Sequence, residues 1–144
     1  MTNWLCILNR ENFETVKNKL VWGVSERHKK NLLKAKPKDL CAFYLIADGF
    51  EDRKKDSGIG GIFEVVSQPY LDRSEIFPSM RSYEDVYPYR IHLKHLKTFQ
   101  PELPFKPLIP ELKFITNKEH YSGHIMGRGM REMPESDMKS ILKA

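Results

Sequence analysis

Trp4-Leu5-Cys6-Ile7-Leu8 is an unbroken apolar run that stops at Asn9. It is too short for a stable helix and has no polar alternation, so it predicts a central strand covered on both faces. The period then changes. Phe13, Val16 and Leu20 recur at helical spacing while Glu14, Lys17 and Lys19 face away, which predicts an amphipathic helix over Glu11–Leu20 with Asn9 as its N-cap. Gly23, within Val21-Trp22-Gly23-Val24-Ser25, interrupts the helical pattern, and Ser25 is suited to cap a second helix over Glu26–Ala35. That helix should end at Lys36-Pro37-Lys38-Asp39, a turn whose proline restricts the residue before it.

Leu40–Ala47 and Gly58–Ser67 are β-like runs separated by a charged loop, and they predict an antiparallel pair in which Gly60-Gly61 permits a bulge or a close backbone approach. Residues 70–87 show neither period and read as a long irregular connection, a feature often tied to function. Tyr89-Arg90-Ile91-His92-Leu93-Lys94 alternates cleanly and predicts a strand. Prolines at 101, 104, 107 and 110 punctuate the next stretch, with a short helix expected over Glu111–Ile115. Gly123, Gly127 and Gly129 frame a loop carrying Met126 and Arg128. Pro134 opens a last helix with Met138, Ile141 and Leu142 on one side. A hairpin, helices in mixed order and no βαβαβ alternation predict a small α+β domain, a curved sheet flanked by helices.

Composition sharpens this picture in two ways. With 144 residues, 40% hydrophobic and 30% charged, the chain is expected to form one domain over residues 1–144, and disordered, collagen-like and coiled-coil classes are excluded. Lys plus Arg total 24 against 19 Asp plus Glu, a formal charge of +5 that favours anionic partners. The longest apolar run falls far short of the ~20 residues that cross a bilayer, so no membrane partner is expected. No signal-peptide pattern opens the chain, which predicts a cytoplasmic location. Cys6 and Cys41 lie inside apolar runs and read as buried free thiols.

Several chemistries drop out on spacing. Gly58-Ile59-Gly60-Gly61-Ile62-Phe63 has Phe63 where a dinucleotide loop needs its third glycine, and the chain has no Gly-Lys-Ser/Thr ending of a P-loop. His92 and His95 fall on opposite faces of a predicted strand, so neither a metal site nor a cofactor is expected. What remains is basic and aromatic. Arg27, Lys29, Lys30, Lys34, Lys36 and Lys38 come after Trp22 without an acid among them. Cations hold phosphates, and an aromatic ring accepts an unstacked base for ~1–3 kcal/mol, the two needs of a nucleic-acid reader. The same residues are also compatible with a solvated helix face and a core tryptophan.

Trp4 to Asn9, Val21-Trp22-Gly23-Val24-Ser25, Lys36-Pro37-Lys38-Asp39 before Phe43-Tyr44, Gly60 to Ser67 and Pro88-Tyr89-Arg90-Ile91 together resemble the EVE domain family. That family is PUA-like and related to the YTH domains that read methylated adenine in RNA. The resemblance implies a pseudo-barrel of about five or six strands and a noncatalytic module for RNA or modified DNA that inserts one base, modified or not, into an aromatic pocket. Trp22 matches the first wall of the YTH cage, and Arg128 lies where YTH domains carry a phosphate-contacting arginine. The candidate pocket residues are Asn9, Trp22, Gly23, Val24 and Ser25, with Phe77, Tyr83 and Tyr87 as closing walls, because the loop that supplies them in YTH domains has no tryptophan here. Arg27, Lys29, Lys30, Arg90 and Arg128 are the candidate phosphate contacts. PUA-like domains of the ASCH type supply the alternative, an amidohydrolase acting on a modified nucleoside, with Glu64 and a nearby lysine as the pair to examine.

Overall fold

A computed structural model describes residues 1–48, 55–78 and 86–144. Among the described residues, seven strands form one curled, mixed sheet, a half-barrel with a few helices: β1 (Asn3–Leu8), β2 (Val21–Val24), β3 (Leu40–Leu45), β4 (Gly58–Val65), β5 (Tyr70–Leu71), β6 (Tyr89–Pro104) and β7 (Met130–Met133). Their order is β2-β6-β4-β3-β1-β7, with β5 also paired to β6. The β1–β3 pair is parallel and the others are antiparallel. The fold is therefore α+β, with seven strands where five or six were expected.

The unbroken apolar runs have a direct structural cause. Trp4, Cys6 and Leu8 of β1 join Cys41, Phe43 and Leu45 of β3 in one core, while Leu5 of β1 joins Ala42 and Tyr44 of β3 in a second core on the opposite face. A strand buried on both sides has no place for polar alternation. Helix α1 (Arg10–Lys19) covers the first core with Phe13 and Val16. Asn9 caps it, its side chain accepting from Asn12 N–H at 2.8 Å, and Leu20 ends it in a left-handed conformation. The second core lies under a 3-10 segment, Lys106–Glu111, and under the C-terminal helix Glu135–Lys143, which contributes Met138 and Ile141.

Four expectations need correction. Val21–Val24 is a strand, because its register places Trp22 opposite Ile91 and Gly23 opposite Arg90 of β6, so tertiary pairing decides the conformation of a four-residue segment. The predicted Glu26–Ala35 helix is a 3-10 turn, Glu26–His28, followed by one short α-helix, α2 (Lys29–Leu32). The proline-rich stretch after Lys94 continues β6 to Pro104, pairing with β4 through bulges, and the next helical turn is Lys106–Glu111 instead of Glu111–Ile115. Met130–Met133 forms the edge strand β7, which the sequence pattern did not indicate.

Candidate functional site

The first core reaches the surface at one end of β2. There a cavity of about 230 Å³ is bordered by Asn9, Asn12, Trp22, Gly23, Ser25, Arg27, His28, Phe77, Tyr87 and the Met126–Gly127 turn, among others. This volume lies below the about 300 Å³ at which pockets for drug-sized molecules begin, so it suits one small planar group. Trp22 is only 4% exposed and packs edge-on against Phe43 at 5.5 Å, yet it still borders the hollow. Its indole N–H is buried without an acceptor among the described residues. Ser25 lies at the same border, and its side chain makes no capping bond to the adjoining 3-10 turn.

Phe77 and Tyr87 also line the cavity, in edge-to-face contact at 5.6 Å. They come from two stretches, 72–78 and 86–88, that contain no helix or strand. Tyr87 has a positive φ of 53°, a conformation that non-glycine residues adopt at a cost of about 1–2 kcal/mol. Gly23 is what lets Phe77 and Tyr87 approach β2, because a Cβ there would stand 2.6 Å from the Tyr87 carbonyl oxygen and 3.2 Å from the Phe77 ring.

Two expected site residues fall elsewhere. Val24 is 3% exposed and packs in the first core, on the same face of β2 as Trp22, and does not line the cavity. Arg90 is 1% exposed, and its guanidinium donates to the carbonyl oxygens of Ser74, Val86 and Tyr87 and to Ser74 Oγ, so it is a buried tie and not a surface cation for phosphate. Tyr83 lies outside the described residues.

The EVE domain family matches residues 2–144. A UPF0310 protein of Pyrococcus abyssi is 47% identical over 141 residues, covering 98% of this chain and 97% of that relative. A second, from Pyrococcus horikoshii, is 46% identical over 144 residues, with 99% and 98% covered. The chain belongs to the EVE domain family. Its fold is similar to that of the human THYN1 protein, solved in complex with 5-methylcytosine-containing DNA, at TM-score 0.63 and 15% identity over 99% of this chain and 96% of that one. It is also similar to the YTH domain of the Zygosaccharomyces rouxii MRB1 protein, solved in complex with N6-methyladenosine RNA, at TM-score 0.67 and 17% identity over 99% and 84% of the two chains.

In this EVE domain Arg27 brings a cation to the border of the cavity. Arg27 and Met126 are exposed at its border, and Arg128 is exposed between Gly127 and Gly129, both at positive φ. Lys30 is exposed on α2. Lys29 is already engaged, donating to Glu26, which also accepts from the Tyr89 hydroxyl. Those two donors, Lys29 foremost, hold the Glu26 carboxyl below its usual pKa range. Glu64 sits on β4 opposite Lys94, away from the residues that border the cavity. Sequence reasoning missed His28, Asn12 and Met126. His28 lies against Gly129, where a Cβ would meet its ring at 2.8 Å. Asn12 had a legible signal, since it lies three residues after Asn9 and so on the same side of α1.

Proposed function

We propose that this EVE domain binds nucleic acid and seats one modified base in the cavity between Trp22 and the Phe77–Tyr87 pair. The carrying observation is that small hollow, lined by Trp22, Phe77 and Tyr87, with Arg27 at its border and the exposed Arg128 between the lining residues Gly127 and Gly129. Aromatic walls fit the π-face of any base, and a methyl group gains by leaving water for apolar volume. Exposed arginines beside the opening supply the counter-charge for the flanking phosphates. The modified nucleic acids bound by the THYN1 protein and the MRB1 YTH domain, which share this fold, support the reading.

Asn9, Gly23 and Ser25 are the groups proposed to meet the base edge, and Arg27, Lys30 and Arg128 the phosphates. The test is an anisotropy titration at low salt with short single-stranded RNA and DNA, each unmodified or carrying N6-methyladenine or 5-methylcytosine. One modified strand should bind more tightly than its unmodified twin, with log affinity falling linearly against log salt at about −0.7 per phosphate neutralised. Equal affinity for every modified and unmodified pair, or no binding at all, overturns the proposal.

A further inference from the structure

We infer that Arg90 is a positioning residue for the base pocket: its buried guanidinium gathers the two irregular segments that carry Phe77 and Tyr87 and holds those rings at the cavity that Trp22 borders. This inference rests on the reading of the cavity as a base pocket. Arg90 lies in β6 directly opposite Gly23, next to Trp22 in the ladder, so its backbone is fixed by the same strand pair that fixes the tryptophan. From there the side chain reaches into the irregular region. Nε donates to the Tyr87 carbonyl at 3.0 Å, one terminal nitrogen to Ser74 Oγ at 2.8 Å, and the other to the carbonyls of Ser74 and of Val86, the latter at 2.9 Å. The guanidinium also lies 5.7 Å from the centre of the Phe77 ring.

The planar fork of five donors explains why this residue is an arginine. One point charge on a lysine could not satisfy acceptors from Ser74, Val86 and Tyr87 in one plane. Asp72 completes the arrangement, 3.4 Å from the guanidinium, and is held by hydrogen bonds from the Ser74 backbone and side chain that draw its pKa below the usual carboxylate range. Burial draws the Arg90 pKa down, and Asp72 opposes it. Outside this tie, segment 72–78 is joined to α1 by Thr15 Oγ1 donating to the Ile76 carbonyl at 3.3 Å. Arg90 therefore shapes the site without touching the nucleic acid.

The test uses the full chain labelled with 5-fluorotryptophan, whose two ¹⁹F resonances come from Trp4 and Trp22 and are assigned with Trp22→Phe. Arg90→Lys should shift the Trp22 resonance and leave that of Trp4 in place. Should Arg90→Lys not fold, Ser74→Ala, which removes one acceptor, carries the same test with a smaller shift. On the modified strand that binds best, Arg90→Lys should lose about ten-fold in affinity, the size of one charged hydrogen bond, with little change on the unmodified strand. Its salt slope should stay that of the parent. An unmoved Trp22 resonance in every folded variant overturns the inference, as does a salt slope reduced by about 0.7, the mark of a phosphate contact. Absence of oligonucleotide binding in the parent would instead refute the proposed function, while the ¹⁹F result would still decide whether Arg90 sets the wall.

Discussion

The two walls of the cavity are built by different physics. Trp22 belongs to a strand whose backbone is paired to β6 and whose ring packs on Phe43 in the first core. Phe77 and Tyr87 belong to irregular chain drawn together by Arg90 and by the Asp72 N–H donating to the Pro88 carbonyl, and tied to α1 through Thr15. Both walls join the first core, but only one of them has its backbone paired in a sheet, and the contrast predicts that the other yields first and responds to a ligand. Local stability tracks the density of buried contacts and paired backbone, and the ligand-facing element is commonly the weaker one.

The largest test of that contrast compares truncations. Trp22→Ala should lower global stability by ~3–5 kcal/mol in denaturant titration. Phe77→Ala, equally buried in the parent at 4%, should cost clearly less, because irregular chain relaxes into the space. Equal losses would abolish the distinction. Next in size, Gly23→Ala drives a Cβ against the Tyr87 carbonyl and should cost ~1–3 kcal/mol. Hydrogen exchange should then quicken in residues 86–88 while the amides of β3 keep their protection.

Smaller still, Tyr87→Gly relieves a left-handed backbone and should leave thermal stability unchanged or raise it by up to ~1 kcal/mol, while weakening binding of the modified strand. A loss of both would place Tyr87 in the fold and not in the site. The smallest effect is on acidification. Asp72 has a lowered pKa, so its contribution is present above the ordinary carboxylate pKa of about 4 and is lost as pH falls through its own lower value. Resonances of Phe77 and Tyr87 should therefore move on acidification below about pH 4 before those of the β3 core do.

Much of the fold was legible because it arises from local pattern. The run at Trp4–Leu8 pointed to a strand buried on both faces, that at Leu40–Ala47 to a strand, and the spacing of Phe13 and Val16 with Asn9 before them announced α1 and its cap. β2 and β7 were not legible, since four residues carry too little pattern to outweigh their neighbours and acquire their conformation from β6 and β1. For the site, Trp22, Gly23, Phe77 and Tyr87 were named in advance and meet at one cavity. Arg90 was misread because its alternation within β6 does not reveal which acceptors await it on the far side.

The sequence alone determined the α+β class, the two-faced first strand, the first helix and its cap, and the presence of a basic segment beside Trp22. Each depends on residues near one another in the chain, where periodicity and capping act. Tertiary structure decided that Trp22 borders a hollow, that Val24 faces inward, that His28 meets Gly129, and that Arg90 is buried among carbonyl oxygens. Those outcomes depend on which distant backbone comes within reach of a side chain, and burial and hydrogen-bond satisfaction act only once the segments have come together.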